Sequence, residues 1–293
     1  KYDTLPTPKR TGYTFLGWYE GDVLVESLEN KNYNLTATAP LVISDGKVIN
    51  LLSGEFYGTN VNFTDMWMYE SYSEVIASRL FKELGIKNVV QYYLCKIHLD
   101  NGLDTIGCYS YSFLKEDEKY ISLAHLFKIG KVQNYMLEGY SGYIQCIKDI
   151  DKELSINYKN ELDKIITLDY LILNEDRHTG NFGFIYNMNE RKFRIAPVFD
   201  NGNSLLSLKH IEGMSYNKEL DRYLKSKPFY INFDTQLEML DSPYKLNTNI
   251  VETYTYIDGL EKHGLGKERI QFIKQLIQTR LNILNDLYRR SKV

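Results

Sequence analysis

Residue spacing changes character along this chain, and that change constrains the fold more than any other feature. From Leu41 to Tyr57, short apolar runs are cut by turn signals: LVIS, Asp45-Gly46, KVINLL, Ser53-Gly54, EFYG. Such runs between Asp-Gly and Ser-Gly pairs predict a β-meander. Over ESYSEVIASRLFKELGI the period becomes helical, with Val75, Ile76, Leu80, Phe81 and Leu84 on one face and Gly85 as the stop. QYYLCKIH and TIGCYSYSFL follow as strands around Asp100-Asn101-Gly102. Beyond Glu116 helical spacing dominates, most clearly over 158–173 and in a final segment that aligns Ile270, Ile273, Leu276, Ile277, Leu281, Leu284 and Leu287. One hairpin interrupts it, GNFGFIYNMNERKFRIAPVFDNG, turning at 187–190. A small sheet-rich lobe ahead of a larger helical lobe is an α+β arrangement with a cleft between the two.

The first forty residues have another texture. They hold three of the six prolines and alternate aromatic with polar residues at Tyr13, Phe15 and Trp18-Tyr19, a strand-and-turn signal. A piece of that size is too small for a self-sufficient core. The whole chain is 293 residues, 43% hydrophobic and 25% charged, ordinary for a globular protein with a core. Its net charge of −3 gives no basic surface for nucleic acid or an anionic membrane, so neither is expected as a partner. No apolar run reaches membrane-spanning length, and three cysteines without CxxC spacing give no disulfide framework or zinc site. The 25 tyrosines read as compositional bias rather than as a binding surface.

Chemistry is concentrated around the hairpin. Asn174-Glu175-Asp176-Arg177-His178-Thr179-Gly180-Asn181 precedes it, and Phe199-Asp200-Asn201-Gly202 closes it. Phosphoryl transfer from ATP needs a carboxylate near the acceptor hydroxyl, plus an amide oxygen and a further carboxylate that hold Mg²⁺ against the phosphates. Asp176 and Asn181 have the Asp-x-x-x-x-Asn spacing that protein kinases use, and Asp200 follows the strand IAPVF. The spacing alone is weak evidence, because Asp45/Asn50 and Asp169/Asn174 share it. Only Asp176/Asn181 falls in a helix-to-strand loop with an acidic strand end behind it. His178 reads as a hydrogen bonder that shapes this loop. Ser71-x-x-Glu74 reads as a capping box at the head of the first helix.

LDYLILNEDRHTGNFGFI followed by APVFDNGNSLLS resembles the catalytic core of the HipA-like serine/threonine kinases. The likeness extends to YSEVIASRLFKELGI, GCYSYSFLKEDE and KSKPFYINFDTQ. It implies a bilobal protein-kinase-like domain, with an N-lobe over 41–116 and a C-lobe over 117–293. It further implies ATP and Mg²⁺ as cofactors, and as partner a protein substrate with an acceptor Ser or Thr. Matched by position, Asp176 is the base, Asn181 and Asp200 the metal ligands, and Glu74 the helix glutamate that pairs with an ATP-binding lysine. Ser112, Phe113 and Leu114 match the hinge that meets adenine. Residues 1–40 resemble a partial Listeria–Bacteroides β repeat, through LPTPKRTGYTFLGWY, and such modules serve as stalks or partner contacts.

The sequence departs from the kinase pattern at the lysine. No lysine lies between Lys47 and Lys82, and Gly58 occupies the strand position where relatives carry one. Either Lys47 or Lys96 reaches in from a neighbouring strand, or this phosphate contact is missing. No G-x-G-x-x-G joins Gly46 and Gly54. Three readings therefore stand beside the protein kinase: a pseudokinase that binds ATP, a surface module with a ligand-binding head, and a small-molecule kinase of the same fold. The lack of disulfide patterning favours the cytoplasm, whereas the repeat resemblance points toward secretion or the cell surface.

Overall fold

The computed structural model describes residues 69–98, 104–115, 117–129, 139–150, 152–211 and 213–291, together with five short strands between 18 and 50. Those strands are β1 (Trp18–Glu20), β2 (Val23–Leu24), β3 (Thr36–Ala37), β4 (Leu41–Val42) and β5 (Val48–Asn50). The first three form an antiparallel sheet in the order β2-β1-β3, in keeping with the strand-and-turn texture. The meander predicted from Leu41 is present as β4 and β5, and its EFYG segment lies outside the described residues.

Helix α1 (Glu70–Glu83) ends at Leu84, with Gly85 at φ +93° as the sequence predicts. Its apolar face (Val75, Ile76, Leu80, Phe81) is wholly buried. That face backs onto β6 (Tyr92–His98) and β7 (Asp104–Tyr111). β5 joins this pair to give the four-stranded order β4-β5-β7-β6.

The helical lobe contains one strand that the spacing does not reveal, β8 (Glu118–Ser122). It pairs with β9 (Gly183–Asn187), which in turn pairs with β10 (Lys192–Ile195). β8 is five residues with a partner more than sixty positions away, so its local sequence carries little strand signal. Gly183 is required where the two meet: a Cβ there would stand 2.3 Å from the Ile121 carbonyl and 2.9 Å from Ser122 Cα, both backbone atoms.

Around this sheet lie α2 (Leu123–Ile129), α3 (Gly139–Ile150), α4 (Lys152–Ile172), α5 (Phe233–Glu238), α6 (Val251–Gly259) and α7 (Lys267–Arg290). The predicted helices over 158–173 and at the end of the chain are α4 and α7, which pack together. Arg280 of α7 is fully buried and ion-pairs with Asp221. No helix among the described residues is long and apolar enough to cross a membrane.

Two backbone hydrogen bonds tie the lobes together at the site. Val90 N–H donates to Val198 O and Val198 N–H to Asn88 O, each at 2.9 Å. The chain leading to Asp200 is therefore held against the segment that follows α1.

Candidate active site

Helix α4 stops at Leu173, which sits at φ +54° where a glycine is usual. Asn174 is buried just beyond it. Its Nδ2 donates to Asp169 Oδ1 (3.2 Å), and its Oδ1 accepts from the Asp176 N–H (3.0 Å). The Asn181 N–H donates to His178 O at 2.9 Å, and its side-chain amide reaches the Asp176 carbonyl at 3.4 Å. His178 Nδ1 accepts from the Gly180 N–H (3.1 Å), and the Tyr120 hydroxyl donates to Gly180 O (2.8 Å). The loop-shaping reading of His178 is what the geometry displays. The three Asp-x-x-x-x-Asn pairs also separate: Asp169 and Asn174 bond to each other inside the protein, Asp45 lies outside the described residues, and Asp176/Asn181 occupy the loop.

A buried arginine that sequence reasoning passes over organises this loop. Arg177 grips Asp169 with two nitrogens: Nε lies 2.9 Å from Oδ2 and Nη2 3.0 Å from Oδ1. Its Nη1 donates to Phe199 O and its Nη2 to Asn201 Oδ1, both at 2.6 Å. One guanidinium thus joins α4, the Asp176 loop and the residues on either side of Asp200. Bidentate ion pairing of this kind fixes orientation as well as distance.

Asp200 stands in the left-handed region, φ +56°, which Asp tolerates better than most residues. Its N–H donates to the Tyr92 hydroxyl at 3.3 Å, and the Asn181 side chain lies close enough to its carboxylate to favour the charged form. The two residues matched to metal ligands are therefore brought together. Burial raises the Asp200 pKa, Arg177 opposes that, and the nearby Asp176 raises it further. A carboxylate crowded in this way gains from a cation. Mg²⁺ is held through one or two carboxylates, with phosphate oxygens and waters completing the shell. Asn181 and Asp200 meet that donor requirement.

The segment matched to the hinge, Ser112 to Leu114, packs against the same place. Phe113 packs its ring on Phe199 (centroids 5.4 Å) and on Tyr120 (6.1 Å), directly ahead of Asp200. Some of its polar groups are already engaged. Ser112 Oγ accepts from the Leu114 N–H at 3.2 Å, and Phe113 O accepts from Arg194 at 3.2 Å.

Glu74 does not form the predicted capping box, and the lysine its matched role calls for, Lys47, lies outside the described residues. Helix α1 starts at Glu70 after Tyr69, with no side-chain cap, so Ser71 and Glu74 form no capping box. Glu74 lies in the second turn and is completely buried. Its Oε1 accepts from the Asn201 N–H at 2.9 Å, while Oε2 has no hydrogen-bond partner among the described residues. Burial pushes its pKa up to about 8 from an ordinary 4.5, with Asp200 adding to the rise and the Asn201 N–H and Arg177 opposing it. The folded protein thus keeps this proton over a window in which the unfolded chain has lost it. Stability from this group is full below pH 4.5 and lost as pH rises toward 8. A melting curve series should show the wild type losing up to about 1.4 kcal/mol per pH unit from this one proton, and Glu74→Gln should flatten that loss. Parallel pH profiles for the two proteins would refute a buried proton at Glu74.

The lysine question is not closed by Lys47, which lies outside the described residues, nor by Lys96, which sits in β6 opposite Ile106. A different cation does stand at the loop. Lys227 Nζ lies 2.5 Å from Asp176 Oδ1. Its sequence position, between the Asp200 segment and α5, gives no sign of this contact.

The HipA-like C-terminal domain model matches residues 59–253. Among solved structures, the crystal structure of the Helicobacter pylori proinflammatory kinase CtkA aligns with a TM-score of 0.64 at 16% identity, over 90% of this chain and 94% of that one. The golgi casein kinase aligns at TM-score 0.40 and 13% identity, over 87% of this chain and 70% of its own. HipA from the Shewanella oneidensis MR-1 HipA–HipB–operator complex aligns at 0.35 and 12%, over 99% and 64%. No curated protein matches the chain. The expected α+β, kinase-like fold is the one observed.

Proposed function

Since the chain belongs to the HipA-like C-terminal domain family, we propose that it is an ATP- and Mg²⁺-dependent kinase that transfers the γ-phosphate to a Ser or Thr hydroxyl of a protein. The observation that carries this reading is the convergence of Asp176, Asn181 and Asp200 on one Arg177-organised loop. The similarity in fold to CtkA, a protein described as a kinase, supports it.

In this reading Asp176 accepts the proton of the acceptor hydroxyl; its carboxylate is half exposed and so open to an incoming chain. Asn181 and Asp200 would hold Mg²⁺, and Ser112 to Leu114 would meet the adenine. When bound, Mg²⁺–ATP supplies the phosphoryl group and neutralises its charge. Arg177 keeps Asp176 and Asp200 at a fixed separation, which is the larger share of what a protein contributes to phosphoryl transfer. The domain division at 40 and 116, and a partner-contact role for the N-terminal strands, belong to the same proposal.

A second reading is favoured by Glu74. A neutral, buried glutamate bonded to the backbone beside Asp200 is not poised to pair with a lysine, as expected of an ATP-binding pseudokinase. Asp200→Asn tests the metal assignment common to both. A thermal shift with Mg²⁺–ATP should be clear in the wild type and lost or strongly reduced in this variant. An unchanged shift would remove Asp200 from the site.

A further inference from the structure

The contact between Lys227 and Asp176 is built by the fold but is too exposed to serve stability. Both side chains are about half exposed, at 50% and 45%. Ion pairs in that setting contribute little to stability. The backbone that presents Lys227 is fixed far more heavily than such a pair warrants. Gln236 of α5 is 2% exposed and spends its whole amide there. Its Nε2 donates to Lys227 O at 2.8 Å, and its Oε1 accepts from the N–H groups of Phe229 (3.0 Å) and Tyr230 (3.3 Å). Ser226 closes the turn from the other side, its N–H on Ile231 O at 2.7 Å and its hydroxyl on Tyr230 O at 2.5 Å. The Lys225 N–H donates to Glu175 Oε1 at 3.3 Å, which sets the segment directly against the Asp176 loop. The Phe229 ring packs on Tyr143, centroids 5.1 Å apart.

Charge at the loop explains what such a presentation could do. Arg177 is spent on Asp169, Phe199 and Asn201, and Lys209 leans toward Glu175 at 3.6 Å. Among the described residues, the ammonium paired with Asp176 is that of Lys227. A transferring phosphoryl group has to lie beside the base that takes the acceptor proton, and its charge needs a cation at that point. The lysine side chain can swing its ammonium between neighbouring anions while its backbone stays fixed.

We propose that Lys227 is the phosphate-binding cation of the transfer site: its ammonium leaves Asp176 for the γ-phosphate of a bound nucleoside triphosphate, freeing the carboxylate for the acceptor hydroxyl. This rests on the kinase reading above and adds to it a residue supplied by the segment between Asp200 and α5.

The test is calorimetric, on the full chain with Mg²⁺, using a non-hydrolysable β,γ-imido triphosphate and ADP. Wild type, Lys227→Met and Lys227→Arg are compared. The wild type should bind the triphosphate more tightly than the diphosphate. Lys227→Met should lose about tenfold or more in triphosphate affinity, the scale of one charge-assisted hydrogen bond, and keep its affinity for ADP. Lys227→Arg should retain most of the preference. Melting temperatures should agree, because the exposed pair adds little to stability. Equal affinities in wild type and Lys227→Met, or equal losses for both nucleotides, would overturn the assignment and leave the kinase reading intact. A higher transfer rate in Lys227→Met would also overturn it, by showing that Lys227 blocks the base. A wild type that binds neither nucleotide would overturn both readings.

Discussion

Asp176→Asn is expected to remove γ-phosphate transfer, with a fall in kcat on the order of 10²–10⁴, the range of a positioned general base, while nucleotide affinity stays within about threefold. The structure separates the two quantities. Asp176 is bound into its loop through its backbone: its N–H donates to Asn174 Oδ1 and its carbonyl accepts from Asn181. Neither contact uses the carboxylate, and Asn has the same shape, so Asn181 and Asp200 should keep their places. What changes is that an amide cannot take the acceptor's proton. Transfer of labelled γ-phosphate to protein, measured beside a nucleotide titration, checks both halves. If wild type and Asp176→Asn turn over equally, Asp176 is not the base. If neither turns over while both bind ATP, the pseudokinase reading stands in its place.

The Asp176–Asn181 loop is legible in the sequence because its information is local. Asp176 and Asn181 are five residues apart, the helix before them and the strand after them have clear periods, and Asp200 follows a recognisable apolar run, although β10 itself ends at Ile195 and Asp200 stands five residues beyond it. Context rather than spacing sets the other two pairs apart, and the buried bond between Asp169 and Asn174 shows the physical reason for one of them. What stays hidden is long-range. Arg177 reads as one more polar loop residue, yet its partners lie 8, 22 and 24 positions away. Glu74 can be matched by position, but its bond to the Asn201 N–H crosses 127 residues, and the burial that raises its pKa comes from elements equally distant in sequence. Lys227 reaches Asp176 across 51 residues, and β8 finds β9 across more than sixty. Periodicity reports which face of an element is buried, not what a buried polar group will meet there.

Arg177→Met should be the most damaging single substitution at the site, because it removes one half of a buried ion pair. Both Arg177 and Asp169 are 1% exposed. Leaving a buried carboxylate without its partner costs about 3–5 kcal/mol. In a domain of this size each kcal/mol moves the melting temperature by roughly 2–4 °C, so a fall on the order of 10 °C is expected. The same change unties Phe199 O and Asn201, so Asp200 should lose its position and nucleotide binding should fall with stability. A double variant distinguishes the two effects. Arg177→Met with Asp169→Leu removes both charges and should recover much of the stability, since a buried ion pair replaced by apolar groups is often neutral or better. It should not recover nucleotide binding, because Phe199 O and Asn201 Oδ1 still lack the donors that hold the Asp200 segment. Melting of the single variant within about 2 °C of wild type would show that Asp169 relaxes at little cost. Full nucleotide affinity in the double variant would show that Arg177 holds the helix end and not the site.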